Sequence, residues 1–209
     1  MARPLPRKRR VDGRTRLLDT AERMLDERGI DGVSLRTLTT RSGHRNASAV
    51  QYHFGNRVQL IEAVFQRRHA AVEARRAAIL DALEASPPVE PRAALEAIVL
   101  PLAELLHDET GRRHLRLIMQ GIAHPDFDVK EATYFGPTLA RAVPHVLPLV
   151  AHLPRPRQLH RLRLGVLTVA CALGEQARGI DADPSPRKPL AYERFVPDML
   201  DAVVGLLKG

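Results

Sequence analysis

The segment from Ser34 to Phe54, Ser-Leu-Arg-Thr-Leu-Thr-Thr-Arg-Ser-Gly-His-Arg-Asn-Ala-Ser-Ala-Val-Gln-Tyr-His-Phe, constrains the fold more than any other part of the chain. It reads as two short helices hinged at Gly43. Ser34 offers a side-chain oxygen to cap the first, with Leu35 and Leu38 turned inward. Gly43 supplies the backbone angles that reverse the chain. Asn46 is placed to cap the second helix, Ala47 to about Phe54, in which Val50 and Phe54 fall at i, i+4 for a core. Ala47, Ser48 and Gln51 are left on the outer face. A helix, a tight glycine turn and a second short helix make up the helix-turn-helix, whose second helix lies in the DNA major groove.

The rest of the chain reads as helix throughout. Leu17, Leu18, Ala21, Met24 and Leu25 form one apolar stripe of a helix over about Asp12–Arg28, stopped by Gly29, after which Ile30 and Val33 pack under the next element. Gly55-Asn56 breaks the chain, and Asn56 caps a long helix from Arg57 to about Glu84 that connects to a second domain. Further amphipathic segments are expected at about Arg92–His107, Glu109–Ala123, Asp126–Leu149, Arg157–Gly179 and Ala191–Lys208. Pro101 should kink or split the first of these, Pro144 and Pro148 make the third irregular, and Pro197 either opens the last helix or kinks it. Asp181–Pro189 is a loop on composition. No strand-like alternation and no internal repeat occur, so an all-α fold is expected: a three-helix head over 12–57, joined by a long helix to a helical body over 58–209.

Charge separates these parts. Residues 1–57 carry 13 Lys/Arg against 6 Asp/Glu, whereas residues 58–209 carry 19 against 18, so nearly all of the net +8 lies in the first quarter. That concentration is the footprint of a polyanion-binding module on a neutral body. Residues 1–11 begin with Met-Ala-Arg-Pro-Leu-Pro-Arg-Lys-Arg-Arg and should be a disordered arm, either a solvated terminus or a tail for phosphates or a minor groove. Cys171 is the only cysteine, which excludes an intrachain disulfide and suits a reducing compartment. No apolar run approaches a membrane span, and the basic start is followed by Val11-Asp12-Gly13 where a signal peptide would have an apolar core. Cytoplasm is the expected location.

Residues 12–65 resemble the DNA-binding domain of the tetracycline-repressor (TetR) family of bacterial transcription regulators. The residues that carry the likeness are Thr20-Ala21, Gly29, Val33-Ser34-Leu35-Arg36 and Gly43, and above all Tyr52-His53-Phe54-Gly55-Asn56-Arg57 with Leu60 and Ala63-Val64-Phe65. Between the turn glycine and the Tyr-His-Phe run the chain has one residue more than the commonest family pattern, placed at His44-Arg45, which adds Arg45 as a candidate phosphate contact. The resemblance implies phosphate contacts from Tyr52 and His53, and from Arg57 where many relatives carry Lys. From their side chains, Arg36 and Thr37 suit another phosphate, while Asn46, Ala47 and Ser48 lie where the reading helix begins. Gln51 can pair with an adenine edge. Tyr52 combines, on this reading, a packed ring with a hydroxyl on phosphate.

The resemblance further implies a helical domain for ligand binding and dimerisation. Leu159, Leu162, Val166, Val169, Ala170 and Leu173, with small Gly165, Ala172 and Gly174, make a stripe on the 157–179 segment. Phe195, Met199, Leu200, Val203, Val204, Leu206 and Leu207 make 191–208 apolar over most of its circumference. These two helices either pair with their copies in a homodimer, as a four-helix bundle, or bury one another within a monomer. A small hydrophobic effector would sit among the middle helices, with Leu117, Met119, Gln120, Ile122, Phe127, Tyr134, Phe135, Leu139, Cys171 and Glu175-Gln176 as candidate lining. Catalysis is not expected. His107, Asp108, Glu109 and His114 fall short of a three-ligand metal site, Cys171 has no defined base, and no phosphate-cradling loop or Gly-x-Ser-x-Gly turn is present. No cofactor or metal is expected. The sequence thus points to a regulator, expected to be a repressor released from a palindromic operator by a small hydrophobic ligand; the alternative is a nonspecific binder of DNA or anionic surfaces acting through its basic arm.

Overall fold

The structure, a computed structural model, describes residues 12–43, 48–122, 124, 136–182 and 188–209, and for Ala49 the backbone alone. Among the described residues all regular structure is helical. The elements are α1 (Gly13–Arg28), α2 (Leu35–Arg41), α3 (Ser48–Phe54), α4 (Arg57–Glu84), α5 (Pro91–Ala103) with a 3-10 turn (Glu104–His107), and α6 (Glu109–Ile122). They continue with α7 (Pro137–Val146) and its 3-10 turn (Leu147–Val150), α8 (Arg155–Asp181) and α9 (Tyr192–Lys208). The chain divides into two compact units, one ending at Val64 and the other Phe65–Gly209. The boundary falls inside α4 and not after Arg57, because buried Leu60, Ile61 and Val64 belong with the first unit.

The first unit is built on local signals. Asp12 caps α1, its carboxylate accepting from the amides of Arg14 and Thr15. Leu17, Leu18, Ala21, Met24 and Leu25 are buried with Ile30 and Val33, as the stripe requires. Gly29 leaves the helix at φ 75°, a left-handed angle that suits glycine. Ser34 caps α2, its hydroxyl accepting from the Thr37 amide at 3.1 Å. Leu38 is fully buried and Leu35 half-buried. Val50 and Phe54 anchor α3 from its inner face, and the Arg14 guanidinium lies 5.0 Å over the Phe54 ring.

In the second unit α8 and α9 run antiparallel. Arg161 near the start of α8 donates to the Leu206 carbonyl, and Gln176 near its end donates to that of Leu190. Their buried faces join α5, Leu115 of α6 and the two 3-10 turns in one core. Polar ties hold the flanks. Arg76, 5% exposed, pairs with Glu73 at 2.9 Å and donates to the Ile98 carbonyl. Glu73 in turn accepts from the Thr138 amide at the start of α7. Arg112 and Arg116 of α6 both pair with Asp181 of α8.

Three expectations change. The segment drawn as one helix over 126–149 is not continuous, since Gly136 is extended and α7 starts at Pro137; residues 125–135 lie outside the described set. Pro101 does not split α5, which turns into 3-10 geometry only after Ala103. Pro197 sits inside α9 beyond its first turn, where it removes one helical amide. The basic arm, residues 1–11, also lies outside the described residues.

Candidate nucleic-acid interface

The turn of the helix-turn-helix is described at its start, Ser42 and Gly43. The Ser42 amide closes α2 onto the Leu38 carbonyl, and Gly43 follows at φ 75°, where a side chain is disfavoured. Past the turn, Ser48, Gln51 and Tyr52 fall at i, i+3, i+4 and share one face of α3, and all three are exposed. Val50 and Phe54 occupy the opposite side and are buried. The helix therefore presents an amide, a hydroxyl and a phenol outward while its apolar side fixes its orientation.

Tyr52 is 86% exposed. The expectation of a packed ring is corrected: the ring stands outward, edge to face with its neighbour His53 at 4.9 Å between centroids, because position 52 lies across the helix from Val50 and Phe54. His53 is half-buried and engaged with other groups. Arg36 is exposed on α2, close to half-buried Thr37, whose hydroxyl and amide are both engaged with the Ser34 hydroxyl. Thr37 is thus the partner of the Ser34 cap, its amide and hydroxyl both turned to the helix start.

Arg57 differs most from a solvated phosphate ligand. Its Nε donates to the Val33 carbonyl at 3.2 Å and a terminal nitrogen donates to that of Ile30, so the guanidinium braces the α1–α2 connection. Two of its three nitrogens are thereby spent on the brace. Asn56 caps α4 by accepting from the Gln59 amide at 2.9 Å. Arg45, Asn46 and Ala47 lie outside the described residues.

The candidate effector residues are less unified. Leu117 is fully buried, Gln120, Ile122 and Leu139 are half-buried, and half-buried Met119 packs against Gly174 tightly enough that a Cβ there would clash. Cys171 and Glu175 are corrected: both lie on the exposed side of α8, Glu175 pairing with Arg178, because the core takes residues 169, 170, 173 and 177. Gln176 is buried and spent on the Leu190 carbonyl. Phe127, Tyr134 and Phe135 lie outside the described residues.

The sequence reading missed a basic group between α4 and α6. His114 is 4% exposed, and burial, reinforced by the charges of Arg68 and His69, pushes its pKa down to about 3. The Phe65 ring lies 6.4 Å away. Burial was legible in the spacing Gly111, His114, Leu115, Ile118, one inward face of a helix. The approach of Arg68 and His69 was not, since no motif links α4 to α6. The residues weighed as a metal site serve elsewhere: His107 packs on Tyr192, and Asp108 caps α6 by accepting from the Gly111 amide. Among the described residues no helix is long and apolar enough to cross a membrane.

The chain matches no family model and no curated protein. Among solved structures it resembles the ketosteroid transcriptional regulator KstR2 of Mycobacterium tuberculosis, with TM-score 0.47 and 15% identity over 94% of this chain and 95% of that one. It also resembles a TetR variant from Acinetobacter baumannii AYE in complex with minocycline, with TM-score 0.45 and 16% identity over 95% of each chain. A TetR-family transcriptional regulator from Pectobacterium atrosepticum gives TM-score 0.43 and 21% identity over 93% of this chain and 90% of that one. At these values the likeness is one of loose helical architecture, and what the head can do is decided by its side chains.

Proposed function

We propose that this protein is a sequence-specific DNA-binding transcription regulator of the TetR kind, and not an enzyme. The observation that carries the reading is the single exposed face of Ser48, Gln51 and Tyr52 on a helix anchored from behind by Val50 and Phe54. Gln51 specifies by pairing with an adenine edge, and Ser48 allows close approach beside it. Tyr52, His53, Arg36 and the remaining donor of Arg57 position the head on phosphates, with Arg45, Asn46 and Ala47 contributing where the reading helix begins. Thr37 serves chiefly to order the start of α2.

One head makes few base contacts, so the protein acts as a homodimer on a near-palindromic operator, through α8 and α9. Leu159, 65% exposed on α8, continues into half-buried Leu162 and Val166 at i+3 and i+7, an apolar stripe that a second copy would cover. Repression by occupancy, relieved by a small ligand in the second unit, completes the reading; the coupling requires only that the ligand favour the state with lower operator affinity. The setting is the cytoplasm.

Competition binding to a panel of duplexes tests it. Gln51→Ala should change the order of preference, removing about 1–3 kcal/mol of discrimination at one base pair. Equal weakening of every duplex would instead favour nonspecific binding through the basic arm.

A further inference from the structure

We infer that the effector is an amphipathic organic acid, its carboxylate held by the Arg68 guanidinium beside His114, between α4 and α6. This rests on the ligand-responsive reading above and gives that ligand a chemical class. Three observations converge within the second unit. First, Arg68 Nε is buried without a hydrogen-bond partner among the described residues. A guanidinium has only donors, so a buried N–H of this kind calls for an acceptor. Second, the groups whose charges act on buried His114 are Arg68 and His69, both basic, with no acidic group acting on it among the described residues. Asp108 is near enough to feel Arg68, yet its Oδ1 is committed to α6, accepting from the Gly111 amide and from the Thr110 hydroxyl. Third, the surroundings are otherwise apolar, with the Phe65 ring beside His114 and Leu115, Leu117 and Ile118 buried on the same helix.

One half-buried guanidinium and a neutral imidazole match a monoanion, which pairs with the single cation and accepts from both N–H groups. A carboxylate accepts from Arg68 Nε and from a ring N–H of His114 without leaving excess charge. The apolar body of the acid meets the Phe65 side. Gln120, farther along α6, keeps a buried Oε1 without a partner, an acceptor suited to a hydroxyl or amide donor on that body.

Calorimetry on the full chain with decanoate and 1-decanol, equal in length and different in head group, tests the inference. Wild type should bind decanoate about tenfold or more tightly than decanol, as a charge-assisted hydrogen bond requires. Arg68→Leu should erase that preference without lowering the melting temperature of the ligand-free protein, since it removes a buried N–H that has no acceptor among the described residues. Equal affinity for acid and alcohol, a preference that survives in Arg68→Leu, or no binding of decanoate, octanoate or phenylacetate would overturn it. Operator affinity measured in parallel separates the two readings. Acid bound at Arg68 with unchanged operator affinity supports this site and overturns ligand release; operator release by decanol as effective as by decanoate supports release and overturns the acid.

Discussion

Moving from pH 7 to pH 5 isolates one buried side chain. His114 has its pKa pushed down to about 3 by burial, with Arg68 and His69 adding to the effect, against an ordinary value of 6.5. Below about pH 6.5 the unfolded chain takes up a proton that the folded ring refuses. Stability is therefore complete above that pH, falls through the acid range, and levels off near pH 3, where the folded ring titrates too. At about 1.36 kcal/mol per pH unit, the 1.5 units between 6.5 and 5 cost about 2 kcal/mol. Glu73, Glu84 and Asp108 are also held below their ordinary values, Glu73 because burial is outweighed by Arg76 and Thr138 together and the other two chiefly through hydrogen bonds from Arg141 and Thr110, but their stabilisation is lost only below about pH 4.5. Hydrogen exchange at α6 amides, corrected for intrinsic rates, reads the second unit by itself. Wild-type protection should fall by about thirtyfold between the two pH values, and His114→Leu should remove most of that fall. An equal loss in both proteins would refute the reasoning.

Arg57→Ala strips the brace from the Ile30 and Val33 carbonyls, and should destabilise the first unit by about 1–2 kcal/mol in urea unfolding as well as weakening every duplex. Weaker binding with unchanged stability would make Arg57 a phosphate ligand alone. Tyr52→Ala should leave stability within about 0.5 kcal/mol, because the ring is 86% exposed, while lowering duplex affinity. A large loss of stability would return that ring to the core.

The head was legible because its instructions are local. Ser34 and Asn56 each cap the helix that their position announces, Asp12 caps α1 where it was expected to open it, and Gly29, Gly43 and Gly55 take positive φ at the three turns. Periodicity placed Leu17, Leu25, Leu38, Val50 and Phe54 inside. What was missed depends on partners distant in sequence. The carbonyls that engage Arg57 lie 24 and 27 residues away, and nothing near Arg57 announces them. Cys171 and Glu175 look like pocket residues until the buried face of α8 is fixed by α6 and α9. The Gly136-Pro137 break was visible as a helix start, yet apolar spacing on either side suggested continuity.

Selection of bound duplexes from a random pool, using the purified full-length protein, tests most directly whether α3 reads DNA. The account predicts enrichment of one two-fold symmetric site, with half-sites spaced by about one helical turn or a multiple of it, and a shift in that site when Gln51 is replaced. A pool that remains unenriched, or binding that disappears with salt and shows no sequence preference, would contradict it.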